Sequence, residues 1–251
     1  RVGYAQLSAE AALRCILPKE FHAGGLPLSF ETAGHLAHYN LRNELMPWRR
    51  HVGQICLDKN ANIRTVVTKV ENVGSKSAFR TFPMEIIGGE HRTEVVVREA
   101  GITLHFDFAN VYWNSRLSQE RVRLMGALEA DKSQTRSEVL VLDLFAGIGA
   151  FAIMAALEGY TVLANDLNPS SAQSMEQNVN RQVWGRTSVA CQPPLVFNMD
   201  ARAFVRSDTV KEKLKLDTVS VVHVIMNLPE LALDFLDVFP RLMGSVGTSR
   251  D

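Results

Sequence analysis

Apolar positions follow two rhythms along this chain, and the rhythm changes near its middle. From residue 139 onward, short apolar runs alternate with longer segments of helical spacing. Val139–Asp143, Thr161–Asn165, Leu195–Asn198 and Val219–Met226 read as buried strands. Ala150–Leu157, Pro169–Gln182, Ala201–Ser207 and Leu231–Leu242 read as helices, and Pro169 suits a first helical position, where its missing N–H costs nothing. Strand and helix in alternation predict an α/β fold, a parallel sheet wrapped by helices. The front half differs. Ile63–Val70, Glu94–Glu99 and Ile102–Phe108 are rich in Val, Ile, Thr and Phe and predict strands, the last two joined by a turn at Ala100-Gly101. Leu36–Glu44 and Trp48–Asp58 predict helices, and Ser115–Ala130 a linking helix. The polar stretch from Glu129 to Glu138 is the expected joint. The expectation is a smaller α+β domain with the linking helix over 1–125, then an α/β domain over 126–251.

A chain of 251 residues, 46% of them apolar, has room for one large domain or two small ones. No apolar run approaches the ~20 residues of a membrane span, so no membrane association is expected. The first residues lack the pattern of a secretory leader. Cys15, Cys56 and Cys191 are odd in number and scattered, which predicts reduced thiols in a cytosol-like compartment and no zinc or other metal site. The net charge is zero, yet residues 1–125 hold 16 Lys+Arg against 12 Asp+Glu, and residues 126–251 hold 11 against 15. A more basic front half suits a polyanionic partner.

The chemistry concentrates at residues 139–151, where a buried strand ends in Asp143 and a loop with Gly147 and Gly149 leads into a helix. Glycines there let backbone approach a nucleotide-type cofactor. The spacing is not the dinucleotide G-x-G-x-x-G, because Ala150, Phe151 and Ala152 follow Gly149. Two more acids close successive strands. Asp166 stands 23 residues after Asp143, placed to accept from ribose hydroxyls, and Asp200 could accept from an adenine amino group. One acid at a strand end is commonly a helix cap, and Asp143 could organise the loop or face an amine.

The D-x-F-A-G-x-G form of Asp143–Gly149 resembles the first motif of S-adenosylmethionine-dependent methyltransferases. Together with Asn110–Leu124, Met-Asn-Leu-Pro at 226–229, and the segments Gly34–Arg42, Ile55–Lys59 and Arg64–Val70, it resembles the archaeal and eukaryotic type of tRNA (guanine-N1)-methyltransferase acting at position 37. The resemblance covers roughly residues 30–240. It implies a Rossmann-like class I methyltransferase sheet joined to an α+β tRNA-contacting domain, S-adenosylmethionine as cofactor, and as partner the anticodon loop of tRNA, with guanine 3′ of the anticodon methylated. The expected state is a monomer, and the expected location the cytoplasm, with nucleus or mitochondrial matrix as further places. By the resemblance Glu120 is the general base, Arg80 stabilises charge on the guanine oxygen, and Asn227 and Pro229 belong to an Asn-x-Pro loop that holds the base. Tyr112, Arg116, Phe145, Ala146, Leu167, Ala201 and Asn227 join Asp143, Gly147, Gly149, Asp166 and Asp200 around the cofactor. Arg42, Arg49 and Arg50 cluster with His51 where they could meet phosphate.

The residue types suit that reaction. Guanine N1 carries a proton at neutral pH, so a carboxylate must take it as the methyl arrives. The charge that then reaches the guanine oxygen is best met by a fixed guanidinium. Simpler readings stand beside these: Glu120 with Arg116 and Arg123 also makes an exposed helical ion-pair set, and Asn227–Pro229 a plain turn. The family usually has Pro where Ser115 stands, and the fourth motif lacks the aromatic of many amino-group methyltransferases. The family's small N-terminal tRNA-elbow domain and its last strands are not expected in this chain. Two rivals remain open: transfer of the aminocarboxypropyl arm of the same cofactor, and a cofactor- and RNA-binding protein without turnover.

Overall fold

A computed structural model describes residues 3–70, 79, 81, 83–132, 138–182, 184, 191–216, 218–228 and 231–240. The chain forms two compact units, one of Arg1–Val97 with Asp107–Asn110, the other of Arg98–Phe106 with Val111–Asp251. The expected division at 125/126 therefore falls inside the second unit. The polar run that suggested it begins inside the helix Leu117–Lys132, whose residues already belong to that unit.

In the first unit, helix α1 (Ala9–Ile16) starts where the Ser8 hydroxyl accepts from the Ala11 amide, a standard N-cap. A short α2 (Glu20–Ala23) follows. Strands β1 (Glu31–Ala33) and β2 (Leu36–Tyr39) pair antiparallel; β2 runs parallel to β3 (Thr65–Lys69), and β3 antiparallel to β4 (Met84–Gly89). A 3₁₀ turn, Asn43–Trp48, leads into α3 (Arg49–Lys59). Leu13 of α1, Val52 and Ile55 of α3, and Val66 and Ile87 of the sheet share one core, each such side chain contributing about 1.5–3 kcal/mol when fully buried.

The helix expected over Leu36–Glu44 is not formed. Its first half is β2, with Leu36, Ala37 and Tyr39 buried, and its second half enters the 3₁₀ turn. Burial on both faces between β1 and β3 outweighs a helical apolar spacing over so short a run.

Strands β5 (Glu94–Glu99) and β6 (Ile102–Asp107) form a two-stranded ribbon, turned at Ala100 and Gly101 with φ of 45° and 82°. The division between units runs through it. In the second unit α4 (Leu117–Lys132) precedes a four-stranded parallel sheet of order β10-β7-β8-β9. The strands are β7 (Glu138–Asp143), β8 (Thr161–Asn165), β9 (Leu195–Phe197) and β10 (Val219–Ile225). Helices α5 (Ala150–Leu157), α6 (Pro169–Arg181), α7 (Ala201–Val205) and α8 (Asp208–Leu214) intervene. Central β7 is buried along nearly its whole length, as a parallel strand covered on both faces should be. Most predicted bounds differ from these by one or two residues, the usual fraying at element ends.

The last predicted helix is instead a 3₁₀ segment, Ala232–Val238. The Asp234 carbonyl, which α-helical bonding would offer to residue 238, is engaged by the Arg202 guanidinium. No helix among the described residues is long and apolar enough to cross a membrane, and no group of metal-binding side chains occurs among them.

Candidate functional site

Register decides where the polar strand ends meet. Asp143 lies opposite Ile225 of β10 and Ala164 of β8, and Asn165 lies opposite Phe197 of β9. The carboxyl ends of all four strands thus form one edge, the edge at which open α/β sheets bind ligands.

Three groups build that edge. Asp143 is 2% exposed; the Phe145 amide donates to its carboxylate, but Oδ1 has no hydrogen-bond partner. Burial raises its carboxyl to about 7, the nearby Asp166 charge adding to the rise and the Phe145 amide opposing it. Asp166 Oδ2 accepts from the Gly147 amide at 2.8 Å and Oδ1 from Asn168 at 2.9 Å, so the second acid holds the glycine loop directly. Burial raises its carboxyl as well, against those two amides. The loop itself turns through left-handed backbone at Gly147 (φ 58°) and Gly149 (φ 87°). A Cβ at Gly149 would sit 2.7 Å from Met175 Cγ, whereas one at Gly147 would meet open space. Gly149 is glycine for packing and backbone together, and Gly147 leaves room for a ligand.

The loop is braced from below by two buried amides absent from the sequence-based site. Asn165 donates to the carbonyls of Leu144 and Met199 and accepts from the Met199 amide. Asn178 of α6 donates to the Ile148 carbonyl at 3.1 Å and accepts from the His105 amide at 2.7 Å. Both are fully buried. Asn165 stands next to Asp166 in sequence, yet only strand register shows that it ties three strand ends together.

The other expected contacts are mixed. Asp200 is exposed and caps α7, accepting from Arg202 and Ala203 through Oδ1; the cap is the simpler role expected of such an acid. The Ala201 side chain packs in the core with Phe204 and Leu144, so only its backbone is available to a ligand. The Ala146 amide donates to the Asn165 carbonyl. Phe145 meets Phe235 edge-on at 5.0 Å, which pins the 3₁₀ segment over the loop. Leu167 stays 47% exposed beside Asp166, and Asn227 is exposed just past β10.

Upstream, Tyr112 is exposed. Asn114 Oδ1 accepts from the Arg116 amide, and its carbonyl accepts from the Leu117 amide, so an asparagine turn leads into α4. Glu120 is exposed on α4 and paired through both oxygens with Arg123, at 2.6 and 2.8 Å. Arg123 holds the Glu120 carboxyl below its ordinary range. Arg80 and Pro229 lie outside the described residues. In the first unit Arg42 donates to the Gly25 carbonyl, and Arg49 to Glu85 and to the Met46 carbonyl; Arg50 is exposed. Two of the three expected phosphate contacts therefore already serve the unit's own structure.

The donor set fits a cationic nucleoside ligand. An orphaned buried carboxylate oxygen can accept from an amine or lie near a positive centre, and Asp166 oxygens that accept one amide each keep capacity for hydroxyl donors.

A family model described as the TRM5/TYW2 methyltransferase domain matches residues 95–247, and one described as the TYW2 N-terminal domain matches residues 9–93. A tRNA (guanine(37)-N(1))-methyltransferase of Phytophthora infestans is 40% identical over 237 residues, 94% of this chain and 52% of the relative. The crystal structure of Trm5b from Pyrococcus abyssi superposes with a TM-score of 0.70 at 26% identity, covering 94% of this chain and 64% of that one. Methanocaldococcus jannaschii Trm5 in complex with adenosine gives 0.63 at 25% identity, covering 89% and 58%. The chain spans about half the length of the curated relatives it matches.

Proposed function

Because the chain belongs to the TRM5/TYW2 methyltransferase family, we propose that it transfers a methyl group from S-adenosylmethionine to N1 of guanine 37 in tRNA. The observation that carries the reading is the carboxyl edge of the sheet, where Asp143, with its unpartnered Oδ1, and Asp166 flank an open glycine loop. The name of the Phytophthora relative supports the reaction, and the adenosine in the Methanocaldococcus structure supports the cofactor.

S-adenosylmethionine, when bound, supplies a methyl group already activated by a sulfonium centre. The chain's residues bind, orient and move a proton. Asp166, while holding Gly147, would accept from the cofactor's ribose hydroxyls, and Asp143 Oδ1 would be available to its amine or positive centre. Glu120 takes the guanine N1 proton; the negative charge is shared with O6, where Arg80 meets it, and the N1 electron pair then bonds the methyl carbon as that carbon parts from the donor's sulfur, which keeps the broken bond's pair and leaves as a neutral thioether. For that step Glu120 must leave Arg123, whose pairing makes the carboxylate a weaker base. Tyr112 and the Asn227–Pro229 loop hold the extruded base. The protein works as a monomer on the anticodon loop, in the cytoplasm and wherever else its tRNA is processed.

Mass spectrometry of a tRNA transcript with guanine after the anticodon, incubated with the protein and cofactor, tests this. The expected product carries one added methyl, absent when that guanine is replaced by adenine. A product bearing the larger aminocarboxypropyl arm, or no product despite cofactor binding, would reject it. Glu120→Gln keeps cofactor binding and lowers transfer about 10²–10⁴-fold.

A further inference from the structure

The buried ion pair that this mechanism does not use is Glu99 with Arg121. Glu99 ends β5, and Arg121 lies early in α4. Arg121 Nε and Nη2 donate to Glu99 Oε1 and Oε2 at 2.5 and 2.8 Å, a fork-to-fork pair with side chains only 11% and 6% exposed. The guanidinium carbon lies 5.0 Å from the Trp113 ring centre, and that ring lies 5.0 Å from Phe106 of β6. Trp113 Nε1 is buried without a hydrogen-bond partner, so the ring is held by its faces and not by its polar edge.

Two members of the contact each stand one residue after a proposed site residue. Trp113 follows Tyr112, and Arg121 follows Glu120. Successive helical residues point about 100° apart, so a helix that turns Arg121 inward turns Glu120 out, where it is found. Apolar contacts are non-directional and would let α4 slide or roll by small amounts. A bidentate guanidinium–carboxylate pair fixes both rotation and register. A buried pair is weak evidence of stability, because apolar residues of similar volume often stabilise as well or better; its geometry is what they cannot supply.

Resting on the reading above, we propose that Glu99 and Arg121, with Trp113 against the guanidinium, form a positioning unit that sets Glu120 and Tyr112 relative to one another for proton removal and base capture. Glu99 and Arg121 touch no reacting atom in this scheme; they act through the two neighbouring residues.

The test is single-turnover methyl transfer by the full chain carrying Glu99→Leu with Arg121→Met, and separately Arg121→Lys, which keeps the charge and loses the fork. For the apolar pair the expected result is a thermal midpoint near that of the parent and, at saturating cofactor and tRNA, a transfer rate about a hundredfold lower, the size of effect a displacement of an ångström has. Arg121→Lys loses about tenfold. In a Glu120→Asp background, where the carboxylate is already displaced, either change costs less than twofold more. Parent rates in both variants, or losses that multiply in full with Glu120→Asp, overturn the inference. If the apolar pair does not fold, Arg121→Lys decides alone by the same two criteria. A parent chain that transfers no methyl overturns the preceding reading and this one with it. A parent that transfers methyl, loses transfer with Glu120→Gln and tolerates the pair variants overturns only this one.

Discussion

At the carboxyl edge of the parallel sheet, polar groups are withdrawn from water and held by backbone: Asp166 by the Gly147 and Asn168 amides, Asn165 by two carbonyls and an amide. On the outer face of α4 the carboxylate of Glu120 is in water and held by another side chain, Arg123. The first arrangement is preorganised and costs nothing to adopt when a ligand arrives. The second is an exposed ion pair, worth about 0–1 kcal/mol, and is easily exchanged for a substrate. A small cofactor of fixed shape suits the rigid edge; a nucleic acid, which brings its own charges, suits groups that can change partners.

The sharpest way to break this contrast is at the rigid edge. Gly149→Val places a branched side chain at φ 87° with its Cβ 2.7 Å from Met175 Cγ. Backbone strain alone costs about 1–3 kcal/mol, and we expect calorimetry to show S-adenosylmethionine affinity down at least ~100-fold. Asn165→Leu leaves the Leu144 and Met199 carbonyls and the Met199 amide unsatisfied, at about 1–3 kcal/mol for each buried group. Urea titration should show a loss of about 3 kcal/mol, with weakened cofactor binding; an unchanged midpoint would mean the edge is looser than its hydrogen bonds imply.

Asp143 probes the edge by pH. Its carboxyl is raised from 3.8 to about 7 by burial, so the folded state binds the proton more tightly than the unfolded chain does. The stabilisation is full below 3.8 and is lost as pH rises through about 7. Asp143→Asn removes that loss: thermal melts should place the variant a few degrees above the parent at pH 8. Cofactor affinity should fall about tenfold, since a charged acceptor is gone. A variant no more stable than the parent at pH 8 would show that Asp143 is not buried as a reluctant charge.

The smallest effects belong to the exposed side. Arg50→Ala should leave stability within about 0.5 kcal/mol and reduce the salt dependence of tRNA affinity by about one in log–log slope. Arg49→Ala should cost stability up to about 1 kcal/mol through its bond to Glu85. An equal salt effect from both would mean Arg49 gives up Glu85 for phosphate.

The glycine loop and its acids were legible because they are local: a strand, a turn and a carboxylate at a set distance are written in consecutive residues. Asp166 is marked by its place just past a strand and its distance from Asp143, and β8 forms at its predicted bounds. Asp200, expected to close a strand, lies past the end of β9 at Phe197 as the N-cap of α7; whether an acid there caps the helix or reaches a ligand is not encoded in the strand that precedes it. Leu36–Tyr39 misled because three apolar residues around His38 satisfy either period, and pairing with β1 and β3 decided between them. Glu99 and Arg121 are ordinary charged residues 22 positions apart, and Asn165 and Asn178 ordinary amides; no pattern marks them before the chain folds.

The amino-acid sequence by itself determined the alternation of strand and helix, the glycine turn and the acids that close the strands, since each depends on neighbours a few bonds away. Only the tertiary structure decided which strand ends share an edge, which oxygen of Asp143 is left without a donor, and which arginine is buried against a tryptophan. Those depend on register and burial, which are set by all the packing at once and by no single stretch of chain.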